Sequence, residues 1–262
     1  MLRKSAYSHR KQGRKAPRTG KRFLYFLEIV VCLAIVGGFG YQVYRFTKQS
    51  DQFLVKHVQI EGLRVLNDEL VLEESGLVDQ GSVLYLDVTA VREAVEAIPY
   101  VLHCTVKQVF PDTVLLNIEE RVPLLTLQLN SHSYELDEYG VVLREYGAQE
   151  TPIMPFVSNV GGVNFVDVGE AVGVPALDET IRVWQEFQRL PMAVDLTVSE
   201  LSAHSTNEIL MYCDELMYEI RWGNGDVTKQ ATRLGILWEK EQGVLPCKEY
   251  LDLRFEADLA CK

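Results

Sequence analysis

One apolar run near the N-terminus constrains this chain more than any other feature. Residues 23–44 (FLYFLEIVVCLAIVGGFGYQVY) contain one acidic residue and no basic residue. These 22 residues, in a helix that rises about 1.5 Å per residue, reach roughly 33 Å, which is enough to cross the hydrocarbon core of a bilayer. The sequence therefore predicts a transmembrane helix over residues 23–46.

The charges that flank this run predict its orientation. Residues 1–22 contain nine Lys or Arg and no Asp or Glu. Because basic flanks stay on the cytoplasmic side, we expect a basic cytoplasmic tail at residues 1–22 and an external C-terminal portion. A cleaved signal peptide is the alternative, since the segment at residues 37–40 (GGFG) loosely resembles a small-residue cleavage site. The length of the apolar run favours the anchor, because signal peptides have shorter apolar cores.

Charge also limits the partners of the external portion. The whole chain has a net charge of −11, and subtracting the nine cations of the tail leaves −20 for residues 23–262. Such an acidic portion repels nucleic acid and anionic lipid headgroups, which argues against a DNA-binding module or a membrane-surface module. A hydrophobic content of 47% indicates a folded external portion with its own core.

The first external segment, residues 53–121, has the pattern of a compact unit. Its predicted order is strand, helix, helix, strand, strand, with Asn67 capping the first helix and Thr89 capping the second. The two later strands are expected at residues 101–109 and 113–120, joined by a turn at Pro111-Asp112.

The second external segment, residues 122–262, is mostly strand, so the fold class is α+β. We expect a mixed, mostly antiparallel sheet with two flanking helices. The predicted landmarks are a hairpin around residues 137–140, a helix capped by Asp178, a hairpin around Asp214-Glu215, a helix opened by Asp226 or Thr228, and a closing strand at Tyr250–Ala260. The stretch SAHSTN, which holds His204 and Ser205, is interpreted as a turn.

The closing strand is the best candidate surface for binding. Its residues alternate, with Leu251, Leu253, Phe255, Ala257 and Leu259 on one face and Tyr250, Asp252, Arg254, Glu256 and Asp258 on the other. The chain ends three residues after Leu259, so we expect no later segment to cover this strand. An uncovered edge offers unpaired N–H and C=O groups to a partner strand.

No arrangement of residues in the sequence indicates an enzyme, a metal site or a cofactor site. The five histidines are isolated from one another, and the phosphate-binding glycine motifs and serine-nucleophile motifs are absent. Four external cysteines, Cys104, Cys213, Cys247 and Cys261, allow three complete pairings, and buried free thiols at Cys104 and Cys213 are at least as consistent with the pattern. The sequence leaves the disulfide pairing open.

Several short motifs occur in order along the external portion. They are Val58-Gln59-Ile60-Glu61-Gly62, Ile98-Pro99-Tyr100-Val101 through Phe110-Pro111-Asp112-Thr113, Ile118-Glu119-Glu120-Arg121-Val122-Pro123, Leu136-Asp137-Glu138-Tyr139-Gly140-Val141, and Trp222-Gly223 followed by Tyr250-Leu251-Asp252-Leu253-Arg254. This series resembles the FtsQ and DivIB family of bacterial divisome proteins over nearly the whole chain. The resemblance implies a POTRA domain (β-α-α-β-β) at residues 53–121 and a β domain at residues 122–262.

The resemblance also implies a function. A family member is a non-enzymatic scaffold in the inner membrane, with its C-terminus in the periplasm and its location at the division septum. It recruits FtsB/FtsL-type coiled-coil membrane proteins, upstream of septal peptidoglycan synthesis, together with further divisome components. The partner pairs with the last strand. The residues implied for partner binding are Tyr250, Asp252, Arg254, Phe255, Glu256, Ala257 and Leu259, and a POTRA recruitment surface is implied near His103 and Val106.

Two expectations about Phe255 conflict. Strict alternation turns this side chain inward beside Leu253, while the family resemblance requires a partner to reach it. An edge position, half covered and half exposed, satisfies both. The alternative function is a POTRA-type periplasmic chaperone or protein-translocation partner, although such proteins repeat the unit or add a barrel, and the sequence has neither an internal repeat nor barrel strands.

Overall fold

The computed structural model describes residues 19–79, 81–152, 154–223, 225–255 and 259–262. It begins with a 31-residue helix, α1 (Thr19–Gln49). Within Phe23–Lys48 of this helix, a window of 18 residues has a mean hydropathy of 2.2, and none of that window is buried inside the protein. Its length and composition fit a single-pass membrane anchor, as the sequence predicts. Residues 1–18 of the predicted basic tail lie outside the described residues.

The first external unit has the predicted order of strands and helices. It consists of β1 (His57–Glu61), α2 (Asp68–Glu74), α3 (Val88–Glu96), β2 (Val101–Val109) and β3 (Thr113–Glu120), with 3₁₀ turns at Leu77–Asp79 and Val83–Tyr85. The central strand is β3, which runs parallel to β1 and antiparallel to β2. Val114, Leu116 and Ile118 of β3 are buried, as their alternation predicts, and pack with residues of both helices in one core.

Side-chain caps start both helices of this unit. Asn67 accepts a hydrogen bond from the Leu70 amide at 2.8 Å, which confirms it as the cap of α2. The prediction that Thr89 caps α3 is wrong. Asp87 is the cap, because its Oδ1 accepts hydrogen bonds from the amides of Thr89 and Ala90, each at 3.1 Å. The helix therefore begins at the residue after Asp87.

The second external unit is built on one large sheet. Its elements are β4 (Pro123–Leu129), β5 (His132–Asp137), β6 (Val142–Glu145), β7 (Phe156–Ser158), α4 (Pro175–Gln188), β8 (Val198–Ser205), β9 (Glu208–Cys213), β10 (Glu219–Trp222), α5 (Val227–Lys240), β11 (Tyr250–Asp252) and β12 (Ala260–Cys261), with a 3₁₀ turn at Pro191–Val194. The nine strands lie in the order β12-β11-β10-β9-β8-β7-β4-β5-β6. Five of the eight pairings are antiparallel and three are parallel, so the sheet is mixed and mostly antiparallel, as predicted.

Two helices accompany this sheet, as predicted, and one of them begins earlier than expected. Asp178 does not cap α4, because Val174 holds the cap position without a side-chain hydrogen bond and Pro175 starts the helix. Proline suits this first position, since its fixed φ is helical and its missing N–H is not needed there. α5 starts at Val227. Asp226, one of the two predicted caps, precedes it and accepts hydrogen bonds from the amides of Thr228 and Lys229.

The interpretation of SAHSTN as a turn is wrong for most of its length. Residues 198–205 form β8, and only the two residues after Ser205 turn towards β9. The buried residues of β8 include Leu201, Ser202 and Ala203, where small and polar side chains weaken the apolar alternation that identifies a strand. Register shifts in its pairing with β9 disturb the alternation further. His204 is exposed near the end of this strand.

The predicted closing strand at Tyr250–Ala260 is also wrong as one continuous element. The strand stops at Asp252, the chain leaves the sheet, and Ala260–Cys261 returns as β12 to pair with β11. Local alternation continues past Asp252 in the sequence, but the hydrogen bonds that end the strand come from distant residues. The expectation that no later segment covers the closing strand is therefore wrong as well.

The two external units share a buried polar junction. The Tyr100 hydroxyl donates a hydrogen bond to Oε2 of Glu135 in β5, and Arg121 pairs with Asp137 at 2.7 Å. Glu135 also accepts hydrogen bonds from Arg144 at 3.2 Å and from the Tyr146 hydroxyl at 3.0 Å. Burial, and then the neighbouring carboxylate, raise the pKa of Tyr100. Both acids at the junction are buried, and both have cationic partners.

Candidate functional site at the C-terminal edge of the sheet

The edge of the large sheet is formed by two short strands instead of one long strand. β11 runs parallel to β10, with Leu251 beside Ile220, and the Leu253 amide extends this pairing by donating to the Arg221 carbonyl at 3.0 Å. β12 then pairs antiparallel with the other side of β11, with Cys261 opposite Leu251. Among the described strands, β12 is therefore the outermost strand at this end of the sheet.

A disulfide and the chain terminus hold β12 in place. Cys247, just before β11, is bonded to Cys261, with 5.1 Å between the two Cα atoms. The Lys262 carbonyl accepts hydrogen bonds from the amides of residues 248–250, and the Lys262 amide donates to the Tyr250 carbonyl at 3.1 Å. The ammonium of Lys262 lies 2.7 Å from the Glu249 carboxylate. The short strand is thus fixed by covalent, backbone and charge contacts.

The disulfide resolves the pairing that the sequence leaves open. Cys104 and Cys213 are buried free thiols on strand faces. Burial, followed by the charge of Glu96, raises the pKa of Cys104 to about 11, and burial similarly raises the pKa of Cys213 to about 12. Both thiols therefore stay protonated at neutral pH, which makes them poor nucleophiles.

An ion pair joins Asp252, the buried last residue of β11, to Arg254. Asp252 is only 2% exposed, and its carboxylate accepts hydrogen bonds from the Arg254 guanidinium at 2.6 and 2.9 Å and from the Arg254 amide at 3.0 Å. Burial alone raises the pKa of Asp252, but the hydrogen bonds from Arg254 outweigh it and lower the pKa below its usual value. The expectation that Asp252 faces solvent is wrong, because its carboxylate turns back to bind Arg254.

Phe255 lies beyond this ion pair and is 55% exposed. The prediction from strict alternation, which placed Phe255 inward beside Leu253, is wrong, since the chain has already left the sheet. Arg233 of α5 donates hydrogen bonds to the carbonyls of Leu253 and Phe255, the former at 2.6 Å. The helix therefore sets the path of the chain that presents the aromatic ring.

A cavity of about 480 Å³ opens beside this segment. Its lining residues are Gly225, Asp226, Lys229, Gln230, Thr232, Arg233 and Arg254. Three of them are cationic and one is anionic, and the anion lies 3.7 Å from the Lys229 ammonium. Two of the cations have acidic partners within the chain, Lys229 with Asp226 and Arg254 with Asp252.

The other residues implied for partner binding occupy different settings. The Tyr250 ring lies under the Arg221 guanidinium, 4.0 Å from ring centre to Cζ, and Leu259 is partly buried against the core. Glu256 and Ala257 lie outside the described residues. Sequence reasoning missed Arg233, Arg221 and the Cys247–Cys261 pair. Two cysteines that bracket the closing segment were the available signal for the disulfide.

The two residues implied for the POTRA recruitment surface do not share a face. His103 is exposed on β2, with Nδ1 2.9 Å from the Glu96 carboxylate. Val106 is partly buried and packs against the core of the first unit. Both lie on β2, which is an edge strand of the three-stranded sheet. Among the described residues, no group of three or more His, Cys, Asp or Glu is arranged to hold a metal ion.

Comparison with known proteins identifies both external units. Residues 53–121 match the family model of the FtsQ-type POTRA domain, and residues 126–254 match that of the cell division protein FtsQ/DivIB C-terminal region. The chain is 26% identical over 234 residues to the cell division protein FtsQ of Syntrophotalea carbinolica, covering 89% of this chain and 80% of that protein. It is 21% identical to the FtsQ of Geotalea daltonii (88% and 83% covered) and 26% identical over 93 residues to the cell division protein DivIB of Clostridium tetani (36% and 35% covered).

Proposed function

The chain belongs to the FtsQ/DivIB family of cell division proteins, and from this premise we propose that it is a non-enzymatic scaffold that recruits FtsB/FtsL-type coiled-coil membrane proteins to the division septum. In this proposal α1 anchors the chain in the inner membrane, the basic tail is cytoplasmic, and both external units are periplasmic, upstream of septal peptidoglycan synthesis. A disulfide at the C-terminal edge supports an oxidising compartment for that edge.

The outer edge of β12, which none of the described strands covers, is the observation that carries this proposal. Lys262 exchanges hydrogen bonds with Tyr250, so alternation along an antiparallel strand turns the backbone groups of Cys261 and Leu259 away from β11. A partner strand that pairs with these groups becomes the tenth strand of the sheet. The disulfide keeps this short edge ordered before binding, which lowers the entropic cost of adding a strand.

Side chains beside the edge give the added strand its specificity. Phe255 offers a half-exposed aromatic ring, the type of side chain that dominates binding energy at protein interfaces. Arg254 lines the cationic cavity and is held by Asp252, so its guanidinium is oriented before a partner acid arrives. His103 and Val106 stay in the proposal as residues of a second recruitment region along the edge strand β2, on opposite faces of that strand.

Site-specific photocrosslinking in cells tests this proposal. A photoreactive phenylalanine analogue at Phe255 should crosslink to an FtsB-type membrane protein. The same analogue at Val194, which is 90% exposed in the same unit, is the matched control and should not crosslink to that protein. Crosslinks from Phe255 to nascent outer-membrane proteins would instead support a chaperone, and equal crosslinking of the FtsB-type protein at both positions would contradict the proposed edge.

A further inference from the structure

One end of the first external unit touches the last turns of the membrane helix. The Tyr85 hydroxyl lies 2.7 Å from the Thr47 hydroxyl, and the rings of Tyr85 and Tyr44 meet edge to face with their centres 5.4 Å apart. Tyr85 belongs to the 3₁₀ turn that precedes α3. This turn therefore lies beside the point where α1 leaves the bilayer.

Three segments are joined at the same end of the unit. The Val83 amide donates to the Phe53 carbonyl at 2.7 Å, and the Lys56 amide donates to the Asp112 carbonyl at 2.9 Å. The Gln108 side chain donates to the Val83 carbonyl at 2.6 Å. The linker that follows α1, the 3₁₀ turn and the β2–β3 turn thus form one connected base.

The direction of the strands confirms which end faces the anchor. β1 follows the linker and runs parallel to β3, with His57 beside Thr113, so both strands start at this base. The opposite end is marked by Glu120, which accepts hydrogen bonds from the amides of Val65 and Leu66, each at 2.9 Å, just before the chain enters the second unit. The turn at Phe110-Pro111 therefore lies on the side of the membrane anchor.

This base carries large apolar side chains that the core does not cover. Leu84, Tyr85, Val109 and Phe110 are between 37% and 57% exposed. The apolar run of α1, residues 23–44, reaches roughly 33 Å of helix, against a hydrocarbon core of about 30 Å. The last turns of the helix, which contact Tyr85, consequently reach the level of the lipid headgroups.

We propose that this base is a bilayer-docking surface, defined by Leu84, Tyr85, Val109 and Phe110, that rests in the boundary between headgroups and acyl chains. Tyr44 and Tyr85 occupy the interfacial belt that aromatic residues favour. Phe110 and Leu84 bury apolar surface in the outer part of the bilayer. Exposed Lys56, beside the same base, faces the headgroup phosphates.

The net negative charge of the external portion does not oppose this docking. Anionic headgroups repel the portion as a whole, but the anchor holds the base at the interface and the proposed contact is apolar. The docking surface therefore acts on a zwitterionic bilayer, without anionic lipid. It orients an already tethered unit instead of recruiting a free one.

Depth-dependent fluorescence quenching in vesicles tests the proposal on the full chain. The anchor carries Cys32→Ser, and a single cysteine that replaces Leu84 or Phe110 is labelled with nitrobenzoxadiazole. Cys104 and Cys213 are buried, so the label does not reach them. The vesicles are phosphatidylcholine with a nitroxide attached to part of the headgroups. We expect quenching at both positions at least about threefold stronger than at controls, because the docking surface lies at headgroup depth.

Two control positions make the result decisive. Val65, 62% exposed at the opposite end of the same unit, and Val194, in the second unit, receive the same label. Equal quenching at all four positions would overturn the proposal. Blue-shifted emission from Leu84 and Phe110 without quenching would also overturn it, because protein would then cover these residues. Quenching that requires anionic lipid would replace apolar docking by charge attraction.

Discussion

Removing the disulfide between Cys247 and Cys261 should release the outermost strand and leave the sheet beneath it folded. The two cysteines are 14 residues apart, and closing a loop of about 15 residues contributes about 3 kcal/mol. Since 1.4 kcal/mol is a factor of ten, Cys261→Ser should favour opening of β12 by about 100-fold. The amides of Tyr250 and Lys262, which bond to each other's carbonyls, should then exchange hydrogen about 100-fold faster.

Matched positions separate this local effect from general unfolding. Cys213→Ser removes a buried free thiol and should leave the exchange of the Tyr250 and Lys262 amides unchanged. The amides of β10, which is paired on both sides, should keep their protection in Cys261→Ser. Unchanged exchange at Lys262 in Cys261→Ser would refute the reasoning, because hydrogen bonds alone would then hold β12. Equal acceleration in β10 would show that the disulfide supports the whole sheet.

Three further predictions address the side chains of the site. Phe255→Lys should weaken binding of an FtsB-type partner by about 2 kcal/mol or more, roughly 30-fold, with little change in Tm, whereas Val194→Lys should change neither quantity. Titration calorimetry measures the binding and thermal melts measure the Tm; a large drop in Tm would make Phe255 a core residue. Arg233→Met loses charge-assisted hydrogen bonds to two backbone carbonyls and should lower the unfolding free energy by about 2 kcal/mol, while Lys229→Met, at an exposed position, should lower it by less than about 0.5 kcal/mol. Equal effects of the two substitutions in urea unfolding would contradict the role of Arg233 in holding the chain after β11. The pKa of Asp252 is lowered in the folded chain, so its ionised carboxylate stabilises the fold above the ordinary Asp pKa of about 3.9. This stabilisation is lost as the pH falls through the lower folded pKa. The unfolding free energy of Asp252→Asn should therefore decrease less between pH 5 and pH 3 than that of the natural chain.

The features predicted correctly from the sequence are those that neighbouring residues determine. Alternation in β3 identified the buried side chains, and Asn67 was recognised as a cap because a cap acts on amides within its own first turn. The hairpin before β6 was predicted from a glycine, Gly140, whose φ of 71° suits the turn. The pairings of β2 with β3, of β5 with β6 and of β9 with β10 were predicted because a short turn joins the two strands of each pair.

The two misassigned caps, Thr89 and Asp178, are local errors in which a residue two to four positions earlier holds the cap position. The larger errors lie where distant residues decide the structure. Alternation in the sequence continues from Leu251 to Leu259, but the strand stops at Asp252. The carbonyl of the next residue, Leu253, accepts a hydrogen bond from Arg233 of α5. The return of β12 depends on a disulfide, whose pairing among four cysteines is not contained in their spacing. Apolar periodicity describes which face a residue occupies if the strand continues, and it carries no information about these tertiary contacts.

The buried junction at Glu135 has a consequence for how far the protein reaches from the membrane. Opening the junction would remove the Tyr100 hydroxyl from Glu135 and the Arg121 guanidinium from Asp137, while Arg144 and Tyr146 of the second unit would stay bonded to Glu135. These two contacts favour one relative orientation of the two external units, so in the proposed function the C-terminal edge of the sheet stays at one height above the bilayer. Under that proposal, a partner helix rooted in the same membrane reaches this edge only if its own length matches that height, which would make length a second criterion for the partner beside its chemistry.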